Sequence, residues 1–135
     1  MKIKYERDDS IQERINKIID ILDWKHIKKE NVICFKSKGT SSKRVIARCW
    51  ALPKIFQQAL NIEAHYCIEV ISERFNKLNE NEKDKVLIHE LMHIPKTFGG
   101  GLKHHGYVNV QNVNKVFKEY KIKKAKRDLI NLLKI

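Results

Sequence analysis

The sequence lacks the features of a secreted or membrane-spanning protein. No apolar run approaches the roughly 20 residues that a transmembrane helix needs, and the amino-terminal stretch MKIKYERDDS contains no hydrophobic signal segment. Cysteine is scarce, and the wide spacing of Cys34, Cys49 and Cys67 fits neither a disulfide framework nor a cysteine zinc site. The sequence therefore predicts reduced core cysteines in a soluble cytoplasmic protein.

Acidic residues are few relative to basic ones. The 135 residues include 28 Lys and Arg against 16 Asp and Glu, which gives a formal net charge of +12. Such an excess predicts attraction to polyanions but no specific nucleic-acid site. Much of it lies in a basic helical segment, about residues 110–135, which is predicted to bind nucleic acid weakly and without sequence preference. The other interpretation of this charge is a solvated helix face that aids solubility.

The remaining composition is that of one globular domain over residues 1–135. With 42% apolar and 33% charged residues, the chain can build a core, and it has no low-complexity segment. Apolar periodicity and turn residues predict the elements that precede the histidine-rich region. They are a helix carrying Ile11 to Leu22 with Ser10 as N-cap, strands in NVICFKS and KRVIARCWAL with a hairpin between them, a helix from Lys54 to about Leu60, and a strand in HYCIEVIS, residues 65–72.

One further helix is predicted to lie inside the domain. The stretch NENEKDKVLIHELMHI begins with cap-forming and acidic residues, as helix N-termini do. Pro95 stops this helix, a glycine-rich loop follows, and a basic helix begins at about Val110. The second half of the predicted helix is apolar almost all round, so we expect it to be covered on every side. Its apolar residues are Val86, Leu87, Ile88, Leu91, Met92 and Ile94.

The same helix carries His89-Glu90-Leu91-Met92-His93, which matches the pattern H-E-x-x-H. Residues four apart lie on one helix face, so both imidazoles can bind a single metal ion. Glu90 lies about 100° round the helix from His89, close enough to hold a zinc-bound water and accept its proton. Polar groups on a buried helix are costly without such partners. The pattern therefore predicts zinc ligands at His89 and His93 and a general base at Glu90.

A zinc protease needs a third protein ligand and an open position for water. The glycines of TFGGGLK let the backbone reverse at positive φ and bring His104 or His105 back to the metal. Position 99, where the metzincin pattern would place a histidine, is a glycine, so that class is excluded. Glu119 and Asp128 are the downstream carboxylates, and both lie among basic residues. The third ligand is therefore sought at His104 or His105.

Three stretches resemble a known family. HELMHIPKTFGGGLKHHGYVN, with the preceding LPKIFQQAL and YCIEVIS, resembles the metallopeptidases of archaea and phages and, more distantly, the SprT/Spartan-like zinc proteases. The close resemblance runs from about Arg48 to Val116. It implies a zincin-like α+β fold, with a small mixed or antiparallel sheet packed on a buried HExxH helix between amino- and carboxy-terminal helices. It also implies that an edge strand pairs with extended peptide substrate, and HYCIEVIS is the candidate for that strand.

The resemblance also favours one third ligand. In SprT-like proteins this ligand is a histidine in a short loop after the helix, followed by a small residue and then a bulky one. His105-Gly106-Tyr107 fits that pattern better than His104-His105-Gly106 does. His105 is therefore predicted to bind zinc, while His104 faces solvent or lines the cleft rim. Tyr107, like Tyr66, could donate a hydrogen bond to a tetrahedral oxyanion, or could serve packing alone.

Together these residues predict a zinc-dependent endopeptidase that acts on peptide or protein substrates. One zinc ion per chain would be held by His89, His93 and His105, with Glu90 moving the proton. Two alternatives remain, a basic nucleic-acid-binding module with a structural zinc, or a protease that acts on nucleic-acid-bound proteins. Glu90 discriminates against the first, because a structural site closes its fourth position with a protein ligand and needs no base. No membrane partner is predicted.

Overall fold

The computed structural model describes residues 2–134 and shows a mixed α+β fold, which confirms the predicted class. Four strands form one sheet. The strands are β1 (Lys4–Arg7), β2 (Val32–Lys38), β3 (Ala47–Ala51) and β4 (Tyr66–Ile71). The helices are α1 (Asp9–Leu22), α2 (Lys54–Leu60), α3 (Ser72–Phe75), α4 (Glu80–Met92) and α5 (Val110–Leu133), with a short 3-10 helix at Lys29–Asn31.

The sheet has the strand order β1-β2-β4-β3. Strands β2 and β4 run parallel, while β1 pairs with β2, and β3 with β4, in antiparallel fashion. The predicted hairpin of β2 and β3 is therefore wrong, because β4 lies between them. The prediction that HYCIEVIS is the edge strand is also wrong, since β4 has neighbours on both sides and is almost entirely buried, as central strands are. The edge strand on that side is β3.

Two amino-terminal features differ from the sequence-based expectation. Strand β1 is not predicted at all, because its residues KYER are all exposed and show no apolar alternation. It is held by backbone pairing with β2, with Tyr5 opposite Ser37. Helix α1 begins at Asp9, because the side chain of Asp8 accepts a hydrogen bond from the Ile11 N–H at 3.0 Å. Asp8, rather than Ser10, is therefore the N-cap.

Helix α4 lies inside the fold, as predicted, and contacts β3, β4, α1 and α5. It begins with a capping box in which the Asn79 and Glu82 side chains each bond the other's backbone N–H. Its side chains pack into one core with the apolar face of α1 and the inner face of the sheet. Each fully buried Leu or Ile contributes about 1.5–3 kcal/mol to stability. The fully buried residues in this layer include Leu87, Ile88, Leu91, Ile15, Ile18, Tyr66 and Ile68.

The three cysteines are free thiols. Cys34 is buried, as predicted, whereas Cys49 and Cys67 are half-buried. Burial raises the pKa of the Cys34 thiol to about 12, so this thiol is protonated at neutral pH. Cys34 therefore behaves as a small apolar core residue.

Helix α5 is 24 residues long, and its two halves differ in burial. Its first half packs on α1 and α4 and buries Val113 and Tyr120. From residue 121 to residue 134 no side chain is buried, and basic residues including Lys126 and Arg127 are exposed. Neither α5 nor any other helix within residues 2–134 is long and apolar enough to cross a bilayer.

Candidate metal centre

The two histidines of HExxH lie one turn apart at the carboxyl end of α4. His89 is in the last turn, and His93 is the residue that ends the helix, still in helical conformation at φ −69 and ψ −18. The centres of their rings are 5.1 Å apart. Because the core packs against α4 on several sides, the backbone that carries both rings is held in place.

After the helix, the chain returns to His93 through two hydrogen bonds with Lys103. The Lys103 N–H donates to the His93 carbonyl at 2.7 Å, and Nδ1 of the His93 ring lies 2.6 Å from the Lys103 carbonyl oxygen. A carbonyl only accepts, so the ring proton is on Nδ1 and the lone pair is on Nε2, which is free to bind a metal. This pairing brings His105, two residues further on, next to the histidines of α4.

The loop that makes this return is fastened to the centre of the sheet by Tyr66. The Tyr66 hydroxyl accepts a hydrogen bond from the Gly100 N–H and donates one to the Gly101 carbonyl, both at 2.9 Å. Gly100 adopts φ +108, and a Cβ atom there would lie 2.8 Å from the carbonyl oxygen of Leu52. Only glycine fits this conformation and this approach.

The loop has a second anchor and a conformation that differs in part from the prediction. The side-chain amide of Gln57, on α2, donates to the Gly99 carbonyl at 3.0 Å. Among the three glycines of TFGGGLK, positive φ occurs at Gly100 alone, and the preceding Phe98 also adopts it at φ 46. The contacts of Tyr66 and Gln57 with the loop are not predicted by the sequence, because both residues lie far from the loop along the chain.

Three histidine side chains converge at the end of α4. His89, His93 and His105 each offer one ring nitrogen, and these atoms all lie within 4.8 Å of one another. The ring centre of His105 is 5.7 Å from that of His89 and 5.0 Å from that of His93. Within residues 2–134 no other histidine, cysteine or carboxylate joins this group. Three imidazoles form a donor set that suits zinc and leaves a coordination position open.

His104 and Tyr107 lie outside this group. The His104 carbonyl accepts hydrogen bonds from the backbone N–H groups of Tyr107 and Val108 in a tight turn, and the His104 side chain is exposed. The Tyr107 ring lies against the Lys103 side chain, with Nζ 3.9 Å from the ring centre. It lines a separate cavity of about 250 Å³ with Trp24. Neither Tyr107 nor the engaged Tyr66 hydroxyl lines the cavity of the three histidines.

Burial sets the protonation of the site. Burial, followed by the charges of His93 and His105, lowers the pKa of His89 to about 4, and burial also lowers the pKa of His93. Neutral imidazoles offer the lone pairs that a metal requires. Burial raises the pKa of Glu90, which is 7% exposed, to about 7. A Glu90 oxygen lies 3.8 Å from Nε2 of His89, which is too long for a hydrogen bond and is no ion pair while His89 is neutral.

The three histidines open onto a cleft between α4 and the edge strand β3. A cavity of about 420 Å³ lies over them, lined also by Ala47, Arg48, Cys49 and Trp50 of β3. Only one side of β3 pairs with another strand. Alternate backbone groups of β3 therefore point away from the sheet. The arrangement offers an extended chain a partner strand beside the histidines.

A buried carboxylate holds β3 in this position. Glu69, on β4, is 1% exposed and accepts a hydrogen bond from the Trp50 indole N–H at 2.8 Å and from the Ser37 hydroxyl at 2.5 Å. The guanidinium of Arg48 lies 3.5 Å from the same carboxylate. Glu69 thus connects three strands through its side chain, and a buried charge of this kind is stable only with such partners.

Comparison with known proteins identifies the family but gives no individual relative. Neither a curated protein nor a solved structure matches the chain. The family described as "Putative phage metallopeptidase" matches residues 3–130, which include all the elements of the sheet and the three histidines. This chain therefore belongs to that metallopeptidase family.

Proposed function

We propose that the protein is a zinc-dependent endopeptidase whose metal is held by His89, His93 and His105. Support comes from the donor set, three ring nitrogens within 4.8 Å of one another. It comes also from the hydrogen bond that leaves Nε2 of His93 free. A structural zinc site would be closed by a fourth protein ligand, and none of the other residues within 2–134 joins the group. This favours catalysis over a purely structural metal.

Glu90 is the proposed general base. When bound, zinc supplies Lewis acidity toward water and a substrate carbonyl, and positive charge that favours the Glu90 carboxylate. The Glu90 carboxylate lies beside His89 at the wall of the cleft. From there it accepts the proton of the attacking water and delivers it to the nitrogen of the departing amine. Without a metal, burial raises the pKa of Glu90 to about 7. The positive charge of bound zinc would lower that pKa, so the carboxylate would be the form that meets the attacking water.

Strand β3 is the proposed partner of the substrate. Its unpaired edge faces the cleft, and Ala47 and Cys49 lie across the cleft from His89 and Glu90. A peptide that adds to this edge as an extra strand would be held by backbone hydrogen bonds, which are the same for every sequence. The arrangement therefore favours unfolded or extended segments of polypeptide as substrates.

The single observation that carries the proposal is the convergence of three histidines beside a buried glutamate. We expect Glu90→Gln to retain zinc while hydrolysis of an unfolded protein substrate falls by at least about 100-fold, because an amide cannot accept the proton. Glu119→Gln, which changes an exposed carboxylate on α5, is the matched control and should keep wild-type activity. Equal activity of the Glu90→Gln variant and the wild type would exclude Glu90 as the base.

A further inference from the structure

A second cavity adjoins the histidine cluster on the side of α5. It has a volume of about 380 Å³, and His89 and Glu90 form part of its wall. The same two residues line the cavity over the three histidines, so the two spaces meet at the proposed base. The rest of the wall is mostly apolar and includes Val45, Ile46, Ala47, Val86, Val110 and Val113.

The apolar part of the wall is built largely from valine side chains. Val113 of α5 is 7% exposed, and Val86 of α4 is half-buried beside it. Valine has one preferred χ1 rotamer in a helix, so these side chains do not readily rearrange to fit a different shape. Transfer of an apolar side chain from water to this apolar part of the wall is favourable, whereas a charged group placed against the valine side chains would lose its hydration. The cavity is therefore suited to one bulky apolar side chain.

Two basic side chains line the same cavity. Arg44 is exposed and Lys85 is half-buried, and neither forms an ion pair within the described part of the chain. The ammonium group of Lys85 lies 5.0 Å from the centre of the Phe117 ring. Their charge is thus free to attract an acidic group on a bound chain.

We propose that this cavity, which we name the valine pocket, selects substrates with a large apolar side chain next to the cleaved bond and an acidic residue close to it. The inference rests on the proposed peptidase function and adds the substrate class. Side chains of a strand point alternately to its two faces. A chain paired with β3 and crossing Glu90 therefore directs one side chain into the valine pocket, while neighbouring residues pass Arg44 and Lys85.

The test is cleavage of a defined peptide library by the zinc-loaded, full-length protein, with the cut sites read by mass spectrometry. We expect Phe, Leu or Met at one fixed position beside the cut, enriched at least about tenfold over Ala. Val113→Phe fills the pocket and should reverse that ratio in favour of small residues. Val110→Phe, at a position that is 77% exposed, narrows the pocket without disturbing the core and should act in the same direction.

The charge is tested separately. Arg44→Glu with Lys85→Glu should replace the preference for an acidic neighbour by a preference for a basic one. Lys43→Glu, an exposed change outside the pocket lining, is the matched control and should keep the wild-type preference.

The outcomes separate this inference from the function on which it rests. Library cleavage without an apolar preference would overturn the valine pocket and leave the peptidase intact. So would unchanged selectivity in both the Val113→Phe and the Val110→Phe proteins. Absence of cleavage by the zinc-loaded wild type, across all peptides and an unfolded protein, would overturn the proposed peptidase and the valine pocket together.

Discussion

At the scale of single residues, Glu90 is more buried than His89, His93 or His105. Its folded pKa is about 7 against an ordinary value of 4.5, because burial disfavours the carboxylate. The folded state therefore holds this proton more tightly than the unfolded state does. The resulting stability is fully present below about pH 4.5 and is lost as the pH rises through about 7. Metal-free protein at alkaline pH consequently carries an unfavourable buried charge.

This predicts a pH-dependent effect of Glu90→Gln on the metal-free protein. Glutamine stays neutral, so the substitution should raise the free energy of unfolding relative to wild type by about 2 kcal/mol more at pH 8 than at pH 5. Urea unfolding of chelator-treated protein at both pH values measures the difference. The exposed Glu119→Gln control should show no such pH dependence. An equal effect of Glu90→Gln at both pH values would contradict the raised pKa.

The choice between the adjacent histidines is also a question of single residues. The His105 ring is close to both histidines of α4, whereas the His104 ring is not part of the group of three, although both side chains are exposed. We expect His105→Ala to weaken zinc binding by more than about 100-fold. That is more than the usual loss when the removed residue only forms a hydrogen bond to a metal ligand. His104→Ala should change the affinity little. Competition with a chromophoric chelator gives both values, and the reverse order would assign the ligand to His104.

At the scale of elements, the returning loop depends on a strand that contributes no metal-binding group. Tyr66 of β4 bonds the loop at Gly100 and Gly101. Tyr66→Phe keeps the ring in the core and removes both hydrogen bonds. We expect zinc affinity to fall about tenfold and stability to fall by about 1–3 kcal/mol, since the Gly100 N–H loses its partner.

The control for this loop prediction is Tyr120→Phe, which removes a hydroxyl from another buried tyrosine, on α5 and away from the loop. It should leave zinc affinity unchanged. Calorimetric titration of zinc into each metal-free variant makes the comparison. Unchanged affinity in Tyr66→Phe would show that the loop holds its shape without the tyrosine hydroxyl.

Elements with a strong local signal are predictable from the sequence. Helix α4 has a capping box and a continuous apolar segment, and α2 follows Pro53, so both are where the sequence predicts them. Strand β1 has only exposed residues and is defined by its neighbour β2. The order of the strands depends on which segments pair over long separations, and β-branched composition does not specify that. Hence the sequence predicts β4 as a strand but places it wrongly in the sheet.

The same distinction holds in the candidate site. The closeness of His89, Glu90 and His93 follows from helical geometry, and the sequence indicates it directly. The family resemblance selects His105, because the residues alone leave His104 open. The loop anchors are not predictable, because they join residues 34 apart for Tyr66 and Gly100 and 42 apart for Gln57 and Gly99. Contacts of this separation depend on the completed fold.

At the scale of the whole molecule, the charge is distributed unevenly. The far half of α5 carries exposed basic residues and no buried side chain. We expect this segment to bind nucleic acid weakly, with an affinity that falls steeply with salt because counterions are released. Fluorescence anisotropy with a labelled oligonucleotide, repeated over a range of salt concentrations, measures how log affinity changes with log salt concentration. Absence of binding at low salt would leave the charge as a solubility feature.

A charge-matched pair of variants locates such binding. Alanine substitution of four basic residues of α5 should reduce the steepness of log affinity plotted against log salt concentration. The expected reduction is roughly 0.7–0.9 for each phosphate that the variant no longer neutralises. Alanine at four exposed lysines outside α5 removes the same charge and should have a smaller effect. Equal effects would assign binding to the net charge rather than to α5. The α5 set is Lys123, Lys124, Lys126 and Arg127, and the control set is Lys2, Lys4, Lys25 and Lys77.

The paired hydrogen bonds between His93 and Lys103 have a consequence for discrimination among ions. They join the helix end to the returning segment, so we expect His93 and His105 to stay close to each other when the site holds no ion. Magnesium and calcium require six or more oxygen donors at distances that three imidazoles do not supply. Ions that accept nitrogen donors in a tetrahedral arrangement meet no such obstacle. We therefore expect the proposed site to discriminate among ions by its nitrogen donors, with the backbone keeping those donors together.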